Sequence, residues 1–276
     1  MNALACTLTL AVSAAAARPL VAAPAKAEAR LVGLVEEVRS ADYRGDRAEL
    51  RRLVGALDGI TARDRVAAVR YWQGFALWRR ALNGFNETPW PDDLKGDLQA
   101  AVARFRAALA ARPDWIEAKI GMVGASASLL YLAGDDAAQT KPILAEFLPL
   151  ARELADKGAD NPRALWLTAG FQLYRGDAVK AAATMRKGLE AAESESRRRP
   201  VPPAYEPTWG GAENLMNLAY LYSQGASRDR GVALAYAEGA LVAAPEWHYV
   251  RDVLMAQIRA LEEAPAPAAS PAAEVR

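Results

Sequence analysis

The sequence predicts an all-α fold, an α-α superhelix (solenoid) of about five helical hairpins closed by a C-terminal capping helix. Three observations lead there. Alanine inflates a hydrophobic content of 52%, β-branched residues are sparse, and alanine is the strongest helix former. A fixed spacing of small and apolar residues recurs along the chain. A glycine–aspartate turn recurs between its copies.

The spacing runs Ala101, Phe105, Ala108, Pro113 and returns as Ala233, Ala237, Ala240, Pro245; Ala181, Met185 and Gly188 repeat it without the proline. Steps of four and three keep residues on one helix face, and small side chains there let a second helix approach closely. Proline cannot continue a helix and closes the hairpin. The turn is the tetrapeptide Tyr43-Arg44-Gly45-Asp46, repeated as Tyr174-Arg175-Gly176-Asp177, with looser versions at Tyr131 to Asp135 and Tyr222 to Gly225. Glycine ends one helix in the left-handed conformation and aspartate caps the next. These marks place hairpins near 29–58, 62–111, 114–157, 162–194 and 210–243. A last helix from Glu246 to about Glu262, with Arg251, Arg259, Glu262 and Glu263 on its polar face, serves as the cap that a solenoid needs.

The small-aromatic-small-proline series at Ala101 to Pro113, its copy ending at Pro245, and the Gly176-Asp177 turn before Ala181 resemble the tetratricopeptide repeat family. The likeness spans roughly residues 62 to 245, with longer loops than the family pattern; the first hairpin carries only the turn. It implies a right-handed superhelix with a concave binding surface and no catalytic residues. The chain is also similar to a loosely defined group of exported bacterial repeat proteins.

Both ends are set apart from this domain, which covers residues 28–263. Leu4 to Ala17 is an apolar run of about 14 residues, the length of a signal-peptide core and too short to span a membrane. Residues 1–27 therefore read as a signal peptide, cut after Ala17 or, preferably, Ala27, although no basic residue precedes Arg18; an alanine-rich first helix is the alternative. The single cysteine, Cys6, lies within it. Leu4-Ala5-Cys6 also resembles the end of a lipoprotein signal, but five preceding residues are too few, so a lipid anchor at Cys6 requires a start farther upstream. Residues 264–276 are alanine and proline with Ser270 and a few charges, and read as a disordered tail. The expected location is periplasmic or exported, the alternative a membrane-anchored lipoprotein.

Charge and chemistry narrow the function. Thirty-four basic residues against 33 acidic ones leave a net charge of +1, with no overall field to draw nucleic acid. The only histidine, His248, lies between Trp247 and Tyr249 with no local serine nucleophile, so it reads as structural. Asp92-Asp93 and Asp135-Asp136 read as charge at helix N-termini rather than metal ligands, and Gly121-Met122-Val123-Gly124 lacks the lysine of a phosphate loop. The run Arg197-Arg198-Arg199 beside Glu193 and Glu195 reads as a solvated helix end. No catalytic residue, metal or cofactor is expected.

Candidate contact residues lie in two long connections and two helices. The connection from Asn83 to Lys95 carries Trp90, and that from Ser194 to Gly211 carries Tyr205 and Trp209; such aromatics either close over a groove or pin their loops. In the helix from Val66 to Leu82, Tyr71, Phe75, Trp78 and Leu82 share a core face, while Trp72 and Arg79 point elsewhere. Glu213, Asn214 and Asn217 offer a carboxylate and two amides one turn apart. The expected function is a non-catalytic scaffold of the bacterial cell envelope holding a protein or peptide partner in a concave groove. The alternative is a periplasmic small-molecule-binding accessory of a transport system, and a carboxylate hydrolase ranks third.

Overall fold

The structure, a computed structural model, describes residues 22–261. The Leu4–Ala17 run, Cys6 and the alanine-proline tail lie outside the described residues. Five helical pairs follow one another: α1 (Ala22–Tyr43) with α2 (Arg47–Asp58), α3 (Val66–Gly84) with α4 (Leu94–Ala111), α5 (Ile116–Ala133) with α6 (Ala137–Lys157), α7 (Pro162–Tyr174) with α8 (Ala178–Ser196), and α9 (Gly211–Tyr222) with α10 (Arg230–Ala243). A π-helical stretch, Tyr249–Leu254, and α11 (Met255–Arg259) end the described chain. The fold is all-α, with helices packing against their neighbours in sequence. The five expected pairs are present, though α1 starts at Ala22 and runs through Ala27, the favoured cleavage position.

The turns form for the reasons the sequence suggests. Gly45 and Gly176 adopt φ of 72° and 80°, a region costly for residues with a Cβ. The Asp46 carboxylate accepts the N–H of Glu49, and that of Asp177 accepts the N–H of Lys180. In the looser turns the cap moves: Asp136, not Asp135, takes the N–H groups of Ala138 and Gln139, and Asp229 takes that of Val232.

The recurrent small residues are buried throughout. Ala101, Phe105 and Ala108, Ala181 and Met185, and Ala233, Ala237 and Ala240 are all wholly inaccessible. Each odd-numbered helix from α1 to α7 packs on the next odd-numbered one as well as on flanking even-numbered ones, so the odd helices up to α9 form an inner layer. Within it, a Cβ on Gly121 would lie 2.3 Å from the Phe105 ring and one on Gly124 2.3 Å from Trp78. The Gly121–Gly124 segment thus makes room for aromatic rings. Trp78 in turn meets Phe75, Phe105, Trp166 and Trp209 at centroid separations of 5.9 to 6.4 Å. Helix α5 is long and apolar enough to cross a membrane, but most of it is buried among its neighbours, as a core helix is.

The expected cap differs in shape and reach. Trp247, Val250, Leu254, Met255 and Ile258 bury against α9 and α10, and the segment also returns to the first hairpin. Ser40 donates to the Glu246 carboxylate at 2.7 Å, Tyr43 packs on Trp247 at 5.0 Å, and His248 lies against Gly45. Last and first repeats therefore touch.

Candidate functional site

The long connection between α8 and α9 is a strap across α3. Trp209 inserts between Phe75, Trp78 and Trp166, and its indole N–H donates to the Tyr71 hydroxyl at 3.0 Å. Trp72 donates its indole N–H to the Tyr205 carbonyl at 2.7 Å, and the Arg65 guanidinium lies 5.2 Å from the centre of the Tyr205 ring. Arg112 pairs with Glu206 at 2.8 Å. Trp72 and Arg79, expected to point away from the core, are both buried, because the strap and the curl of the odd helices cover the second face of α3. Trp209 pins its loop.

Two buried ionic clusters fix this arrangement. Arg163 donates to both oxygens of Glu117 at 2.7 and 3.0 Å, to both oxygens of Glu195 at 2.9 Å, and to the Trp209 carbonyl at 2.8 Å. Glu195, read from sequence as a solvated flank of the arginine run, is a structural partner. Burial pushes the Glu117 carboxyl up against the lowering effect of Arg163. Across the layer, Arg79 donates to Asp42 at 2.6 Å and lies 3.8 Å from Glu213, which accepts from the Tyr43 hydroxyl at 3.1 Å and from the Gly210 N–H at 2.7 Å. Burial likewise raises Asp42, and it raises the Tyr43 hydroxyl well above the ordinary phenol range. A buried charge left without its partner is strongly destabilising, so these groups are held by one another.

The sequence-derived contact residues therefore divide. Trp72, Trp209, Glu213 and Asn214 lie inside the protein, and Tyr205 is half-buried with its carbonyl on Trp72. Asn214 donates to the carbonyls of Pro162 and Gly210 at 3.0 and 2.7 Å, seated over Gly188, so the peptide backbone it binds is this chain's own. Asn217 is half-buried. Trp90 alone remains open, 49% exposed. The two acids that converge on Arg79 are shut off from solvent, so a substrate would have to part α1, α3 and α9 to reach them. Asp93 does not cap α4; it pairs with Arg47 and Arg80. Among the described residues no three His, Cys, Asp or Glu side chains are grouped to hold a metal ion.

Open surface lies instead outside the inner layer. A groove of about 550 Å³ separates α4 from α6, floored by Val102, Leu129 and Leu132 with Ile143 opposite. Its rim is bridged by Arg106 to Glu146 at 2.7 and 3.0 Å and by Lys95 to Gln139 at 2.5 Å. At the end where Lys95, Ala133 and Gln139 stand, Phe85, Trp90 and Tyr131 form an aromatic cluster with centroids 5.4 to 6.1 Å apart. Sequence reasoning found Trp90 but missed the groove, whose residues belong to three helices and share no local signal. Tyr131 was visible only as a turn residue. Comparison with protein-family models, with curated proteins and with solved structures gives no match to this chain.

Proposed function

We propose that this protein is a non-catalytic binding protein of the bacterial cell envelope, built from tetratricopeptide-like repeats stacked as a right-handed superhelix, and that it engages a protein partner on its outer face. The repeated hairpins, their glycine turns and the buried small-residue faces support the repeat reading. The apolar Leu4–Ala17 run supports export. The inner layer is filled by Trp78, Trp166 and Trp209, so the partner surface moves outward from the concave side expected of such repeats.

The observation that carries this reading is the groove between α4 and α6 with the aromatic cluster at its end: an apolar floor, a charged rim and exposed aromatic rings. Such a composition marks interaction surfaces, where aromatics supply most of the binding energy. The volume also falls in the range of small-molecule pockets, roughly 300–1,000 Å³, which keeps a small-molecule accessory as the second reading. A photo-crosslinking residue placed at Gln99, exposed in the groove, distinguishes them in living cells. A protein adduct from Gln99 that is missing from a matched probe at Val242, far out on α10, supports the scaffold. Equal adducts at both positions, or none, would remove it.

A further inference from the structure

The two buried ionic clusters share a composition and a peptide bond. Each sets two carboxylates around one guanidinium, Asp42 and Glu213 around Arg79, Glu117 and Glu195 around Arg163. None of the six side chains is more than 13% exposed. The Trp209–Gly210 peptide joins them: its carbonyl accepts from Arg163 at 2.8 Å, and its N–H donates to Glu213 at 2.7 Å. The strap is thus fastened at one peptide group, bonded to a cluster on either side.

Charge balance gives these clusters a preferred proton count. With every acid ionised, two carboxylates against one guanidinium leave each cluster an excess negative charge, and a buried site relieves that excess by holding a proton that belongs to the pair of acids. Hydrogen-bond donors resist this: Asn83 donates to Asp42 at 3.1 Å, Tyr43 to Glu213 at 3.1 Å and Asn161 to Glu117 at 2.7 Å. Burial outweighs them. It is the largest influence on Asp42 and on Glu117, the second acid of each cluster adds to it, and both carboxyls lie above their ordinary values. The other titratable neighbours are Arg39 near Tyr43, Tyr71 near Glu117, and Arg44, Glu246 and His248 on the outer side of the seam between first and last repeats. Among the described residues none of these cations forms an ion pair with the four acids. A carboxyl whose folded value is raised contributes stability that is complete below its unfolded value and is lost as the pH rises through the folded one.

We propose that the two clusters form a proton-operated latch on the strap, closed while each pair of acids holds one proton and loosened as the pH rises and both acids of a pair ionise. The latch does not depend on what the outer face binds. Its test is hydrogen exchange of the segment around Trp209 and Gly210, followed by mass spectrometry on the full chain and corrected for the intrinsic pH dependence of amide exchange. Protection is expected to fall as the pH is raised from the usual carboxylate range to neutrality, by up to about tenfold per pH unit for each proton released. Asp42→Asn and Glu117→Gln keep the shape of the protonated acids, so each should remove part of that fall and the double variant should show none. If either fails to fold, Glu195→Gln, the least buried of the four acids, carries the test, because it leaves Glu117 alone with Arg163 and removes the need for a proton in that cluster. His248→Gln serves as the control, since His248 is exposed beside Gly45, and should leave the fall intact. Protection that stays level or increases with pH, a fall that survives the substitutions in the acids, or a fall abolished by His248→Gln would overturn the latch.

Discussion

Helices α3 and α6 are of similar length, yet thirteen of the nineteen residues of α3 are buried and, of the twenty-one in α6, only Leu154. Helix α3 is surrounded by α1, α2, α4 and α5 and roofed by the strap, whereas α6 rests mainly on α5 and faces α4 across the groove. Pro142 and Pro149 also stand within α6 and remove backbone donors from it. The contrast separates two tasks within one repeat pattern. Inner helices carry the cohesion of the molecule, and the outer helix α6 leaves most of its surface open along the groove.

Four substitutions, the second with a control, break or sharpen that contrast. Trp209→Ala removes a ring lodged among Phe75, Trp78 and Trp166 together with the hydrogen bond to Tyr71. A loss of about 3–5 kcal/mol in denaturant unfolding is expected; unchanged stability would show the strap to be a lid. Gly124→Ala forces a methyl toward the Trp78 ring and should cost about 1–3 kcal/mol, whereas Gly96→Ala, with open space at its Cβ position, should not destabilise.

The third substitution concerns pH. Hydrogen bonds from Lys119 and Lys157 hold the Glu153 carboxyl of α6 below its usual value of 4.5. A depressed folded value means stability that is present above the unfolded value and lost as pH falls through the folded one. Glu153→Gln should therefore melt slightly below the unsubstituted protein at neutral pH, with the gap closing as the pH falls below the usual carboxylate range. A gap that stays constant would deny the pair any role. The smallest effect is assigned to Leu148→Ala, on the exposed side of α6, which should change stability by less than about 0.5 kcal/mol. A larger loss would mean that α6 is packed against something in solution.

Local features were legible in the sequence because they obey short-range rules. The Gly45 and Gly176 turns, the aspartate caps and the buried small-residue faces all depend on residues within one hairpin. What escaped depends on how repeats curl round one another. The two identical tetrapeptides make the point: Tyr43 packs on Trp247 and bonds Glu213, while Tyr174 stands in solvent. No local pattern distinguishes them. Trp72 and Arg79 were misplaced for the same reason, since the groups that cover them, the Tyr205 carbonyl and Glu213, lie more than a hundred residues away in the chain. Of the candidate contacts only Trp90 could be read as exposed, and its neighbours Phe85 and Tyr131 are joined to it by the packing of α3 beside α5.

The strap also has a bearing on the order of synthesis. A chain made from its N-terminus presents Trp72 and Trp78 early, but the segment that roofs them, with Trp209, follows only after α4 to α8 have been made. Until then the largest apolar rings of the first half lack their cover, which is the condition under which nascent chains aggregate or are held by chaperones. Contacts between such distant residues also slow folding, because long loops must close before they form. A nascent chain stopped before residue 209 would expose the very surface that the finished molecule keeps driest.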